Sequence, residues 1–302
     1  MLLRDRDVRR LLAGFALVAA AGLAPFETVA TEGAAATSAT ALSDACGPAL
    51  TKPDGSRWSC TFVDNFGGNA LNPDRWVVQE TARTGFRTGR TCYTASSRNV
   101  SVRDGELHLV ADEGRWFTCR NPLRNFATRY TGGMVGTRGH FSQTFGRFEV
   151  RARYPGARTS GLHGGFWMYP LSHKYGAWPA SGEIDVAEWW SSDPTLVLPS
   201  LHYTGRDHNH DSGWGCRVPD VSNYHTYAVE WLRTTMRFLI DDQRCFSRSW
   251  TPDSPLVAPQ PFDHPFSMIL NMGVGTSTGT NKVTSRTQFP GRYVVQYAKA
   301  WR

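Results

Sequence analysis

The sequence predicts an all-β fold, a sandwich or barrel of antiparallel strands forming one domain of about 255 residues. Three observations predict it. Short runs that alternate apolar and polar residues recur along the chain, among them RWSCTFVDNF, GRFEVRARYP and RYVVQYAKAW, and a period of two marks a strand with one buried face. Gly, Pro, Asn and Asp turn signals separate these runs. From about Cys46 onward no long amphipathic helix, internal repeat or linker interrupts the pattern.

The N-terminus is different in kind. Arg9-Arg10 precede an apolar stretch from Leu11 to about Ala24, and small residues then allow cleavage near Thr28-Val29-Ala30. This is the pattern of a secretory signal peptide over residues 1–30, with an apolar run too short to span a membrane. The residues around the arginine pair fit a twin-arginine signal poorly. Residues 31–45 are rich in Ala, Thr and Ser without periodicity, and read as a disordered leader to a folded domain over 46–302. Within that domain NVSVRDGELHLVAD and YHTYAVEWLRTTMRFLIDDQ read as hairpins turning at Asp104-Gly105 and Asp241-Asp242, and PFSMILNMGV and RYVVQYAKAW supply later strands.

Six cysteines, Cys46, Cys60, Cys92, Cys119, Cys216 and Cys245, lie in this exported segment, so disulfides are expected. Sequential pairing (Cys46–Cys60, Cys92–Cys119, Cys216–Cys245) closes local loops and is the expectation among the alternatives. No Cys-x-x-Cys occurs, which disfavours zinc-ribbon and thioredoxin chemistry. The formal charge is +7, and the first thirty residues account for +1 of it. Such a surplus suits acidic polysaccharides, cell-wall polymers or nucleic acid. No Lys/Arg block is dense enough to argue for nucleic acid, so scattered arginine reads as solvated surface.

The chemistry is concentrated in WPASGEIDVAEWW. Glu183 and Asp185 share a face of a strand because side chains two apart point the same way. Glu188, five positions after Glu183, reaches that face only if one β-bulge near Val186-Ala187 absorbs the extra residue. A straight strand would hold the two Glu Cα atoms about 15 Å apart, so a concave strand and inward-leaning side chains must close the gap. A carboxyl separation of about 5 Å would serve a retaining glycosidase, and about 6.5–9.5 Å an inverting one. The bland alternatives are a surface acidic strand or three carboxylates on a cation. A solvated patch would not alternate with Ile184, Val186 and Ala187, nor sit between Trp178 and Trp189-Trp190. Carboxylates facing a cleft with aromatic walls are the equipment for glycoside hydrolysis.

The Glu-x-Asp-x-x-Glu motif and its flanks also resemble a known family. TFVDNFGGNALNPDRW, NVSVRDGELHLVAD, YTGGMVGTRGHFSQTFGRFEVRARYP, GGFWMYP, WPASGEIDVAEWW, SLHYTG, YHTYAVEW, ILNMGVG and YVVQYAKAW occur in the order seen in glycoside hydrolase family 16, in its laminarinase-like branch of endo-β-1,3-glucanases. The resemblance spans residues 58–302. It implies a concanavalin-like β-jelly-roll sandwich of two antiparallel sheets with a concave substrate cleft, and a retaining mechanism. By motif position Glu183 would be the nucleophile, Glu188 the acid and base, and Asp185 the group that sets their ionisation. His202 falls where the family has a cleft histidine, oriented toward Asp185. Trp178 is the first candidate for a sugar-stacking platform and Trp167 the second, with Trp189 and Trp190 weaker. Asn99 and Arg138 are sugar hydrogen-bonding candidates by position.

The resemblance implies no cofactor. Many bacterial members hold a structural calcium on the convex side through the Asp of Val-Asp-Tyr-Val. Here that stretch reads Val295-Gln296-Tyr297-Ala298, with Gln where the acid would be, so a structural calcium is doubtful and disulfides could do similar bracing. Asp207, His208, His210 and Asp211 lie in a Gly-rich loop that reads as a polar rim of the cleft rather than a metal site. The expected partner is a polysaccharide, β-glucan or another cell-wall glycan, met by a secreted or envelope-associated monomer. A carbohydrate-binding jelly roll without hydrolysis, a transglycosylase and a β-galactanase stay open as alternatives. The cleft loops over 79–95, 156–166 and 205–218 decide among substrates.

Overall fold

The computed structural model describes residues 46–302, and the signal peptide and leader expected over 1–45 lie outside the described residues. In chain order the early strands are β1 (Cys60–Asp64), β2 (Val77–Val78), β3 (Thr91–Tyr93), β4 (Val100–Arg103), β5 (Glu106–Cys119) and β6 (Phe126–Gly136). β7 (Gly146–Arg153), β8 (Leu162–Pro170), β9 (Glu183–Trp190), β10 (Val197–His202) and β11 (His225–Trp231) follow. The last are β12 (Met236–Ile240), β13 (Gln243–Arg248), β14 (Phe266–Val274) and β15 (Gly291–Trp301). One short helix, α1 (Thr81–Thr84), precedes β3. Among the described residues no helix is long and apolar enough to cross a membrane.

The strands form a jelly roll in the order β10-β9-β8-β14-β6-β5-β15-β7-β11-β12-β13. Two long strands carry the chain between its layers. Residues 107–111 of β5 pair with β15 in one layer, residues 112–119 pair with β6, and the end of β6 pairs with β14 in the other layer. Both foreseen hairpins form, with Asp104, Gly105, Asp241 and Asp242 all at positive φ. That is the backbone a two-residue turn between twisted strands requires, and Asp and Gly tolerate it best. β3 departs from the antiparallel expectation: it runs parallel to β6, three residues long, beside the Cys92–Cys119 bridge. All three sequential disulfides are present.

Alternation explains the core. Phe148, Val150 and Ala152 of β7, Tyr227, Val229 and Trp231 of β11, and Tyr293 and Val295 of β15 point inward. They meet Phe166 and Met168 of β8, Ile184, Ala187 and Trp189 of β9, and Leu270 and Met272 of β14. β14 is buried along its whole length, as a strand hydrogen-bonded on both sides and covered on both faces must be. On its other face Ile269 joins Tyr93 and Met134 in a second apolar cluster, against which Phe86, Trp167 and Tyr169 pack. The segment over 79–95 therefore roofs part of the outer face of this sheet and bounds the cleft on that side.

On the opposite layer Gln296 of β15 accepts a hydrogen bond from Arg151 and donates one to Glu106 at 3.2 Å. The Arg151 guanidinium also lies 5.1 Å from the Tyr224 ring centroid.

Candidate active site

The bulge is where the alternation requires it. Trp167 of β8 faces Asp185 and Phe166 faces Ala187, leaving Val186 without an opposite number. On the other side Leu198 faces Glu188 and Ser200 faces Asp185, so the single residue Pro199 opposes both Val186 and Ala187. Proline lacks an N–H, so a broken ladder position suits it. Parity resets across the bulge. Glu183, Asp185, Glu188 and Trp190 take the cleft face, while Ile184, Ala187 and Trp189 take the core.

Neighbouring strands supply the partners. His202 Nε2 lies 2.7 Å from Asp185 Oδ2, and His163 Nε2 lies 3.0 Å from Glu188 Oε1. Trp178 Nε1 donates to Glu183 Oε2 at 3.0 Å from a loop braced by Ser181, whose hydroxyl accepts from Tyr175 N and donates to Gly176 O. Gly182 is needed just before Glu183. Its φ is +85°, and a Cβ there would sit 2.8 Å from the Phe262 ring. Trp167 Nε1 donates to Asn271 Oδ1 at 2.9 Å, and Asn271 Nδ2 donates to the Tyr93 hydroxyl at 3.0 Å, which fixes the indole. The three carboxylates, His163, Trp167 and Asn271 line one cavity of about 100 Å³.

Crowding negative charge in a half-enclosed site raises proton affinity. Burial pushes Glu183 up to about 8, with Asp185 adding to it, while His202 and the Trp178 N–H pull the other way. Glu188 is raised by burial and by Asp185, and the bond to His163 lowers it. Burial works against a charged His202, yet Asp185 more than offsets that and raises it. The arrangement can hold a proton on one carboxyl while a second stays ionised, which is what acid–base chemistry at a glycosidic oxygen needs. An oxygen of Glu183, an oxygen of Asp185 and a ring nitrogen of His202 lie within 4.8 Å of one another. Asp185 and His202 are engaged with each other, and Glu183 accepts from Trp178.

The other expected residues divide. Trp178 is 56% exposed beside the carboxylates and tilted 39° to His202, an open aromatic face. Trp189 is fully buried against Tyr154, whereas Trp190 stands at the cleft near His163. Arg138 lies along the cleft wall with Phe86 and Tyr169, donating to Leu171 O at 2.7 Å. Asn99 is a correction. It is 2% exposed, its amide donates to Val110 O and Thr131 Oγ1, and its oxygen accepts from Thr94, so its hydrogen bonds are spent inside the fold. Asp207 and Asp211 are likewise engaged, with His210 and with Arg248 and Tyr203 respectively. His163 and Asn271 were not foreseen. Period two would have found His163, which shares the face of Gly165 and Trp167 on β8, but its partner could be known only from the strand register.

Comparison with known proteins agrees with this geometry. The family model "Glycosyl hydrolases family 16" matches residues 89–299. A beta-glucanase of Rhodothermus marinus is 30% identical over 263 residues, covering 81% of this chain and 85% of that protein. A glucan endo-1,3-beta-glucosidase of Cryptopygus antarcticus is 30% identical over 257 residues, covering 81% and 92%. The X-ray structure of the laminarinase from Rhodothermus marinus superposes with a TM-score of 0.68 at 32% identity, covering 81% of this chain and 97% of that one. With the motif, the jelly roll and the cleft in agreement with these relatives, this chain belongs to glycosyl hydrolase family 16.

Proposed function

We propose that this chain is an exported endo-β-1,3-glucanase that cleaves its polysaccharide by double displacement with retention. The observation that carries the reading is the bulged β9, which sets Glu183, Asp185 and Glu188 on one cleft face between Trp178 and Trp167. Membership of a glycoside hydrolase family and the two glucanase relatives support the reaction and the glucan. Three disulfides suit an oxidising compartment, and export as a monomer without a cofactor is part of the same reading.

Each role follows from a contact. Glu183 attacks the anomeric carbon in its ionised form, which the Trp178 N–H and His202 favour against burial and Asp185, and displaces the leaving oxygen. Glu188, whose raised proton affinity keeps it an acid, delivers the proton to that oxygen and then takes one from the water that releases the sugar. Asp185, paired with His202, keeps negative charge beside both and sets which of them ionises. Trp178 and Trp167 offer faces to sugar rings. On the convex layer the Arg151 guanidinium already occupies the acceptor of Gln296, so the residues there do not fit a calcium ion and none is assigned.

The test is product release from β-1,3-glucan, mixed-linkage glucan, agarose and carrageenan, with Glu183→Gln as the blank and proton NMR of the first anomer formed. Cleavage of β-1,3-glucan with a β anomer first, abolished in the variant, is the expected result. Cleavage of a galactan would move the substrate, an α anomer would end the retaining roles, and binding without turnover on every polymer would end the hydrolase reading.

A further inference from the structure

A second cavity, of about 980 Å³, opens where the cleft meets the segment over 79–95. Phe86 and Tyr169 line it, and the Phe86 ring packs 5.7 Å from Trp167, which lines the carboxylate cavity. The two spaces therefore adjoin across a single aromatic wall. The far wall is the turn between β5 and β6, and it is built to stay in place. Cys119 is bridged to Cys92, and Asn121 Nδ2 donates to Gly85 O at 3.1 Å.

The charge of this cavity is one-sided. Arg87, Arg124 and His173 line it, and no Asp or Glu does. Among the described residues neither arginine forms an ion pair. Arg87 is held by stacking 4.5 Å from the Phe126 ring centroid, which leaves its N–H groups to face a ligand. The adjoining depression with Arg138 also lacks a carboxylate. A neutral glucan offers this field no counter-charge, whereas an anionic oxygen on a sugar would be met by forked guanidinium donors.

We propose that this cavity is a subsite for an acidic substituent on the glycan, a carboxylate, sulfate or phosphate ester, recognised by Arg87 and Arg124. The proposal rests on the glycan-hydrolase reading and narrows its substrate to an acidic or acid-decorated polymer. The test compares kcat/KM on neutral laminarin with laminarin carrying C6 carboxylates, sulfate esters or phosphate esters, at low and high salt. Expected is a preference for at least one acidic form, carried by KM, that shrinks with salt because exposed charges are screened. In Arg87→Ala/Arg124→Ala, checked by its melting curve, the acidic-to-neutral ratio should fall at least tenfold. The three acidic arms tell the substituents apart. Equal efficiency on all forms, or a preference that persists in the double variant and at high salt, would overturn the proposal. Calorimetric titration of acidic and neutral oligosaccharides into Glu183→Gln separates the two readings. Arginine-dependent binding of the acidic form, alongside a parent chain that cleaves none of these polymers, would end the hydrolase reading and leave this one standing.

Discussion

At the scale of single residues the site is a set of proton affinities arranged by neighbours. Burial and the neighbouring Asp185 raise the proton affinity of Glu183 above that of an unperturbed glutamate at 4.5. The folded chain therefore binds that proton more tightly than the unfolded chain, which contributes stability below pH 4.5 that is lost as pH rises through about 8. Glutamine cannot ionise, so Glu183→Gln should melt well above the parent at pH 9 and close to it at pH 4. Calorimetric melts at the two values check this, and a variant that melts lower at pH 9 would contradict the burial argument. His163 acts on the other carboxyl. Its bond lowers the proton affinity of Glu188, so His163→Ala should raise that affinity further. In its proposed role as the acid Glu188 must be protonated, so the alkaline limb of kcat/KM should move to higher pH while the acid limb stays. A uniform loss at every pH would mean that His163 only supports the strand.

At the scale of elements the bulge decides which side chains face the cleft. Without it, strict alternation after Asp185 would give the cleft Ala187 and Trp189 and turn Glu188 into the core. Deleting Val186 removes the extra residue and restores alternation with the later Glu still on the cleft face. The deletion should therefore fold and keep activity above that of Glu188→Gln, whose loss of acid–base catalysis is worth about 10²–10⁴-fold. It should still fall about 100-fold below the parent, the effect of a displacement of about 1 Å. Circular dichroism and rates of reducing-sugar release check it. Much of this was legible in the sequence, because period two and a five-residue spacing between glutamates leave few options for one strand. The hairpins at Asp104-Gly105 and Asp241-Asp242 were legible for the same local reason, and the disulfides because each closes a short loop. Register between distant strands was not. Nothing local to His163 points to Glu188, 25 residues later. Asn99 looked like a sugar ligand by motif position alone, and only the packing of β4, β5 and β6 shows its amide consumed. The parallel pairing of β3 with β6 likewise depends on contacts 39 residues apart.

At the scale of the molecule two layers carry different polar chemistry. The cleft layer concentrates carboxylates under partial burial, which costs stability at neutral pH, whereas in the opposite layer buried carboxylates are paired with arginine. The cations there are already covalently present. Arg151 donates to Gln296, Gln296 donates to Glu106, and Tyr224 donates to the same carboxylate while stacking beside Arg151. A guanidinium bonded to the amide that stands in the acidic position does there what a bound dication would do, joining β5, β7 and β15. It cannot be removed by chelation. A chelator should therefore leave the melting temperature unchanged, whereas Arg151→Ala, which leaves Gln296 without its cation and Tyr224 with Arg153 alone, should lower stability by about 1–3 kcal/mol. Thermal melts with and without EDTA, on the parent and on Arg151→Ala, measure both. A parent that loses stability to EDTA would show that this layer depends on a metal after all.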